Sequence, residues 1–367
     1  MPSDKRVTIK DIAEYCGMSK SLVGYILSDS AVRTGSEEAR DKVRQAAELL
    51  GYRPNRAAKM LVGKSSQIIG VSIDSYSGPA YFRRLSMMER EAKKYGYRLM
   101  INENSDRSDE LLQSYRTFCE YGVTGVVYLK HDFPLQNEEL RGQFAEMKNV
   151  VFLGKPIVGD AVYVDVDWRA GTRRAAEYLI KCGRRRVALV VDKLPYYSIE
   201  TRVDGFREAL AATGCREGRE AFVFRIDYSN DLDETRRIVR RAIEELLLPN
   251  RIDAICMQND LFAAFLLQEL HRRRIRVPED IAVIGQDNEP FSGLLIPALA
   301  TIDENLAIQS KYLIELLLAL IEKKELPPEQ RCRRVVPSLV WRESAGVPAG
   351  TKVRDEDNRI EIIAESY

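Results

Sequence analysis

From residue 68 onward the chain alternates short apolar, β-branched runs with amphipathic segments, and few architectures accept that pattern. The runs fall at 68–73, 99–101, 126–129, 150–153, 162–166, 187–191, 222–226, 254–257 and 281–284. Segments with helical spacing lie between them, among them 81–95, 168–181, 201–213, 234–248 and 261–273. A strand that is apolar on both faces must be covered on both, which predicts an α/β fold of βαβ units, with parallel sheets flanked by helices. Nine or more strands over about 270 residues imply two such sheets rather than one.

The first 66 residues contain only helical patterns. Thr8-Ile9-Lys10-Asp11 has the form of a capping box with Asp in place of Glu, opening a helix whose apolar face is Ile9, Ile12, Ala13 and Cys16. Gly17 supplies a turn, Ser19 a second N-cap, and Leu22, Val23, Ile26 and Leu27 the buried stripe of a second short helix. Ser36 caps a third helix, with Ala39, Val43, Ala46, Ala47 and Leu50 inward and Gly51 just past its end. Two helices joined by a tight Gly-containing turn have the geometry of a helix-turn-helix DNA-binding unit. Its second helix would enter the major groove, and the periodicity leaves Lys20, Ser21, Gly24 and Tyr25 facing outward. A three-helix segment with no DNA role fits the same caps and stripes.

Charge favours the DNA-binding alternative once the chain is divided. The net +1 over 367 residues combines 12 Lys/Arg against 8 Asp/Glu in 1–66 with 44 against 47 in 67–367, so a basic head precedes a slightly acidic body. Cys16, Cys119, Cys182, Cys215, Cys256 and Cys332 are at least 33 residues apart and form no CxxC pair, the pattern of free thiols in a reducing cytoplasm. The polar N-terminus and the lack of any apolar run near about 18 residues argue against secretion and membrane spanning. General acid–base chemistry most often uses histidine, and the chain has only His131 and His271, the latter leading an Arg272-Arg273-Arg274 run that reads as a solvated face. With no P-loop, nucleophile-elbow or metal-spaced motif in the sequence, the expectation is a non-enzyme with no cofactor and no metal.

Residues 7–19 (Val7-Thr8-Ile9-Lys10-Asp11-Ile12-Ala13-Glu14-Tyr15-Cys16-Gly17-Met18-Ser19) and Leu49-Leu50-Gly51-Tyr52-Arg53-Pro54-Asn55-Arg56-Ala57-Ala58 resemble the head of the lac repressor/galactose repressor (LacI/GalR) family of bacterial transcriptional regulators. Further matches follow in family order: Ile69-Gly70-Val71, Arg202-Val203-Asp204-Gly205-Phe206, Gln258-Asn259-Asp260, Val277-Pro278-Glu279-Asp280, Ile284-Gly285-Gln286-Asp287 and Val340-Trp341-Arg342-Glu343-Ser344. The resemblance implies a helix-turn-helix domain at 1–53, a hinge helix at 54–66, a periplasmic-binding-protein-like effector-binding and dimerisation body at 67–344, and a flexible tail at 345–367. In the body it implies an N-lobe of about 67–165 and 305–333 and a C-lobe of about 166–303 and 334–344, with crossings near 165–168, 302–305 and 333–337. Expected DNA-binding positions are Thr8, Ser19, Lys20, Ser21, Gly24 and Tyr25 in the head and Asn55, Arg56, Lys59 and Leu61 in the hinge, Leu61 as the apolar wedge in the minor groove. The recognition helix departs from the family, since Met18-Ser19-Lys20-Ser21-Leu22-Val23-Gly24-Tyr25-Ile26 puts Gly24 and Tyr25 where Ser and Arg are usual.

For the body the resemblance implies a small-molecule effector, a sugar or sugar derivative, held by Tyr81, Asp167, Trp168, Arg202, Asn259 and Asp287. The chemistry of each fits: Arg202 presents a planar fork, Asp287 accepts from two hydroxyls, Asn259 donates and accepts, and Tyr81 offers a stacking ring. Each also has a structural alternative: pairing between Asp287 and Arg202, a helix cap for Asn259, core packing for Tyr81, hinge packing for Asp167 and Trp168. Helix 81–95 is expected on a dimer face. The tail 345–367 lacks leucine and any heptad, which points to a homodimer without a tetramerising coil. The resulting expectation is a cytoplasmic, homodimeric repressor on a palindromic operator, controlled allosterically by its effector. The rivals are a solute-binding or sugar-processing protein with no DNA role, and a DNA-binding regulator with no small-molecule effector.

Overall fold

The computed structural model describes residues 7–27, 35–53, 65–74, 78–104, 108–129, 142, 147–156, 160–194, 196–212, 222–229 and 231–347, and the backbone of 352–356 and 359–363. The chain divides into two units, 1–66 and 67–367. In the first, α1 (Ile9–Cys16), α2 (Lys20–Leu27) and α3 (Glu37–Leu49) close on Ile12, Ala13, Cys16, Val23, Val43 and Ala46. The capping box forms as expected, with the Asp11 carboxylate accepting from the Thr8 backbone N–H at 2.7 Å and Thr8 Oγ1 accepting from the Asp11 N–H at 3.4 Å. Gly17 ends α1 in the left-handed region (φ 66°), where a side chain would be strained, and this lets the chain turn into α2. Ser19 and Ser36 cap α2 and α3 through 3.2 Å bonds from the Leu22 and Ala39 N–H groups.

The second unit is built on two six-stranded sheets. Strands β1 (Ile68–Asp74), β2 (Arg98–Asn104), β3 (Gly125–Leu129), β4 (Val150–Leu153), β5 (Val162–Val166) and β11 (Cys332–Val335) lie in the order β11-β5-β4-β3-β1-β2, all parallel. Strands β6 (Val187–Asp192), β7 (Phe222–Ile226), β8 (Ala254–Cys256), β9 (Ala282–Gln286), β10 (Ala300–Asp303) and β12 (Ser338–Val340) form the other, β12-β10-β9-β8-β6-β7, with only β12 antiparallel. In each sheet the first strand sits between the second and third. That reversal of winding opens a crevice at the strand carboxyl ends.

Helices α4 (Pro79–Lys94), α5 (Ser108–Glu120) and α10 (Leu306–Ile321) cover the first sheet, and α6 (Trp168–Lys181), α7 (Tyr197–Ala212), α8 (Leu232–Ala242) and α9 (Asp260–Arg272) the second. Two glycines set the closest approaches. A Cβ on Gly205 of α7 would sit 2.1 Å from the Arg169 carbonyl oxygen of α6, and one on Gly285 of β9 would lie 2.1 Å from Asp260 Oδ1.

The chain passes between sheets three times, after β5, after β10 and between β11 and β12. All three fall in the expected stretches, the third at 336–337, but residues 334–335 belong to the first sheet and not to the C-lobe. Two further expectations are corrected. The segment 234–248 is α-helical only to Ala242 and continues as a wider π-turn over Ile243–Leu247. The tail is not frayed throughout, since Lys352–Glu356 pairs antiparallel with Arg359–Ile363 as β13 and β14. The expected hinge residues Asn55, Arg56, Lys59 and Leu61 lie outside the described residues.

Candidate functional site

On α2 the core takes Val23, with Ile26 and Leu27 packed at its edge, which turns Lys20, Ser21 and Tyr25 to solvent. Tyr25 is 60% exposed. Gly24 is half-buried, and a Cβ built on it meets nothing within 4 Å. The helix therefore presents an open outward face beside the Gly17 turn. Of the predicted DNA-binding positions here, Thr8 and Ser19 are also engaged structurally, as the caps of α1 and α2.

The body gathers polar side chains where the strands of the second sheet end. Asp192 closes β6, Tyr228 follows β7, Asn259 follows β8, Asp287 follows β9 and Glu304 follows β10. Arg202, on α7, lies flat over the Trp168 ring with its guanidinium carbon 4.1 Å from the ring centroid. Asn259 caps α9 by accepting from the Phe262 N–H at 3.0 Å while its amide lies 3.4 Å from the Tyr228 hydroxyl. Burial of the Asp287 carboxyl, then the adjacent Glu304 carboxylate hydrogen-bonded to it, hold its pKa well above the usual carboxylate range, with Arg202 opposing. Burial raises Asp192 as well. The result is a set of acceptors and one stacked cation, suited to a ligand rich in hydroxyl donors.

Tyr81 belongs to α4 of the other lobe, where it packs against the core with the Arg84 guanidinium 5.1 Å from its ring. Asp167 caps α6, accepting from the Ala170 N–H at 3.0 Å. Trp168 and Arg202 are thus in direct contact and Arg202 acts on Asp287 through charge, while Asn259 bonds Tyr228 and the Phe262 N–H; the helix-cap alternative for Asn259 is realised, and Asp167, with hinge packing as its alternative, caps α6.

Sequence reasoning overlooked three residues of this region. Arg84 is on the inward stripe of α4 with Ala80, Leu85, Met88 and Ala92, and a charge on an apolar stripe is the signal that marks it. Its guanidinium meets Glu304 at 2.8 Å and Gln309 at 3.1 Å. Arg83 next to it donates to the carbonyl oxygens of Asp287 at 3.1 Å and Asn288 at 2.9 Å. Glu304 had no sequence signal, because only the β10–α10 turn brings it beside Asp287.

A helix-turn-helix head and a two-lobed sheet body with a polar crevice define the class of ligand-responsive DNA-binding regulators. Residues 8–55 match the family described as "Bacterial regulatory proteins, lacI family", and 176–345 match "Periplasmic binding protein-like domain". The chain is 29% identical over 319 residues to the ribose operon repressor of Bacillus subtilis, covering 87% of this chain and 93% of that one. It is 25% identical to the transcriptional repressor PurR of Vibrio vulnificus over 92% of this chain and 98% of that one. The fold is shared with the lac repressor dimer solved with operator and an anti-inducer (TM-score 0.78, 23% identity, 93% of this chain and 99% of that one). It is also shared with the regulator CelR in complex with cellobiose (TM-score 0.65, 22% identity, 92% and 100%). The chain belongs to the LacI/GalR family of bacterial transcriptional regulators.

Proposed function

We propose that this regulator is a homodimeric repressor whose hold on a palindromic operator is set by a small polyhydroxylated effector bound at the carboxyl ends of β6–β10. The observation that carries the reading is the Arg202–Trp168 stack with Asp287 within reach of the Arg202 charge, a cation on a flat aromatic ring beside an acidic group at a sheet crevice. The ribose operon repressors it resembles make D-ribose the first compound to test. Asp167 and Tyr81 complete the set from the crossover and the opposite lobe. The reading is one of binding rather than catalysis, since Asn259 and Asp167 are held as helix caps and Arg202 is stacked in place.

Two exposed apolar positions on the loop after β9 support self-association, Leu294 at 81% and Ile296 at 95% exposure, and Phe82 on α4 adds a third at 61%. Such side chains suit a symmetric interface in which each subunit offers the same patch. On DNA, Lys20, Ser21, Gly24 and Tyr25 would face the major groove, with Thr8 and Ser19 at the backbone and the Asn55–Leu61 hinge at the minor groove.

The test is tryptophan fluorescence of the full chain titrated with D-ribose, D-galactose and purine bases. A saturable change with one of them, lost in Trp168→Phe and weakened at least tenfold in Asp287→Asn, supports the reading. No response from any, in fluorescence or thermal shift, favours a regulator without a small-molecule effector.

A further inference from the structure

Asp287 and Asn288 both adopt left-handed backbone, with φ of 98° and 47°, a conformation that L residues resist and that the surroundings must impose. The second sheet imposes it through side chains. The Asn288 N–H donates to Thr301 Oγ1 at 3.2 Å, its amide to Asp303 at 2.9 Å, and its Oδ1 accepts from Arg342 at 2.8 Å. The Glu289 N–H is fixed by the buried Asp260 carboxylate at 2.8 Å. Among the described residues the carbonyl oxygens of Asp287 and Asn288 have no backbone donor; they accept from Arg83, which comes from α4 on the first sheet. The same nitrogen lies 3.5 Å from the Glu289 carboxylate, an acid that is 5% exposed.

We propose that Arg83 is a positioning residue that latches the two lobes by gripping the backbone of the effector-site turn 287–289, so that the state of Asp287 is transmitted to helix α4. The inference rests on the effector reading above for its regulatory meaning, and on the interlobe contact alone for its mechanics. A bond between a charged guanidinium and a carbonyl is worth more than a neutral one, and opening the lobes would strip two carbonyls and one buried acid of their cation together. The turn is held by side chains of its own lobe, so the lobe contributing Arg83 either engages it at this register or not at all.

The experiment uses the full-length protein without added sugar and measures small-angle scattering of wild type, Arg83→Met and Arg83→Lys. Arg83→Met keeps the aliphatic stem and loses the fork. Its closed-to-open ratio should fall by roughly tenfold or more, read as an increased radius of gyration. Arg83→Lys retains a cation for Glu289 and should fall between the two. The second measurement is operator affinity against salt. Arg83→Met should change affinity several-fold while leaving the salt slope at the wild-type value, because no phosphate contact has been altered. Scattering of a folded Arg83→Met that superimposes on wild type, together with an unchanged operator affinity, overturns the latch. Should Arg83→Met not fold, Arg83→Lys carries both measurements with the same expected directions. A wild type that binds no operator overturns the regulator reading and leaves the scattering result to judge the latch by itself.

Discussion

Arg84 and Glu304 form a 2.8 Å ion pair from which water is excluded, with side chains 0% and 4% exposed, one on helix α4 and the other at the turn into α10. Neither charge has bulk solvent to fall back on, and Gln309 completes the arrangement by accepting from Arg84 Nε and donating to the Glu304 carbonyl oxygen.

Removing one partner therefore strands the other. Arg84→Met should destabilise the body by about 3–5 kcal/mol, whereas Arg84→Met combined with Glu304→Leu should recover most of that loss, because a buried pair is worth little more than apolar residues of equal volume. Urea denaturation of the wild type and the two variants checks this. Equal losses in the single and double variants would show that the pair does not act as a unit.

Asp260 gives the body a pH dependence of defined sign. Its carboxylate accepts from Ser292 at 2.6 Å, Thr301 at 2.6 Å and the Glu289 N–H at 2.8 Å, yet burial pushes its pKa up to about 6. A carboxyl that holds its proton more tightly folded than unfolded adds stability below about pH 4 and loses that contribution as pH rises to about 6. The stability difference between wild type and Asp260→Asn should thus shift against wild type by roughly 3 kcal/mol between pH 4 and 7. Chemical denaturation at each pH measures it; a pH-independent difference would contradict the assignment.

Much of this was legible in the sequence, for physical reasons that differ by region. Strands such as β4, β5 and β7 are legible to the residue because apolar runs bounded by polar turns have no competing period. The caps of Thr8, Ser19 and Ser36 were legible because each is a local bond within three residues. The strands β10 and β11 overlap the expected crossings, since four residues of mixed polarity carry little periodic signal. Arg83 and Glu304 were illegible for another reason: their partners lie some 200 residues away in sequence, at separations of 204 for Arg83–Asp287 and 220 for Arg84–Glu304, and no local pattern encodes a contact between lobes.

Gly24 weakens α2 without a steric need, as a Cβ there meets nothing within 4 Å. Gly24→Ala should stabilise the head by about 0.5–1 kcal/mol. Hydrogen exchange of α1–α3 amides in the full chain should slow by about two- to fivefold, and an unchanged or faster rate would mean the glycine serves the fold. The same variant should alter operator sequence preference more than it alters the salt slope.

Leu294 and Ile296 are the expected centre of a self-association patch. Leu294→Asp with Ile296→Asp should convert the dimer to monomer at micromolar concentration in sedimentation equilibrium, with circular dichroism unchanged. A variant that stays dimeric would move the interface elsewhere, with Phe82 on α4 the next position to substitute.

Whether the basic head reads a palindromic operator is decided by selecting binding sites from a random duplex library with the full-length protein and titrating the enriched sequence by fluorescence anisotropy. The expected result is enrichment of a palindrome with half-sites about one helical turn apart, and affinity that falls steeply and log-linearly with salt. No enriched sequence, and no binding even at about 50 mM salt, would contradict it.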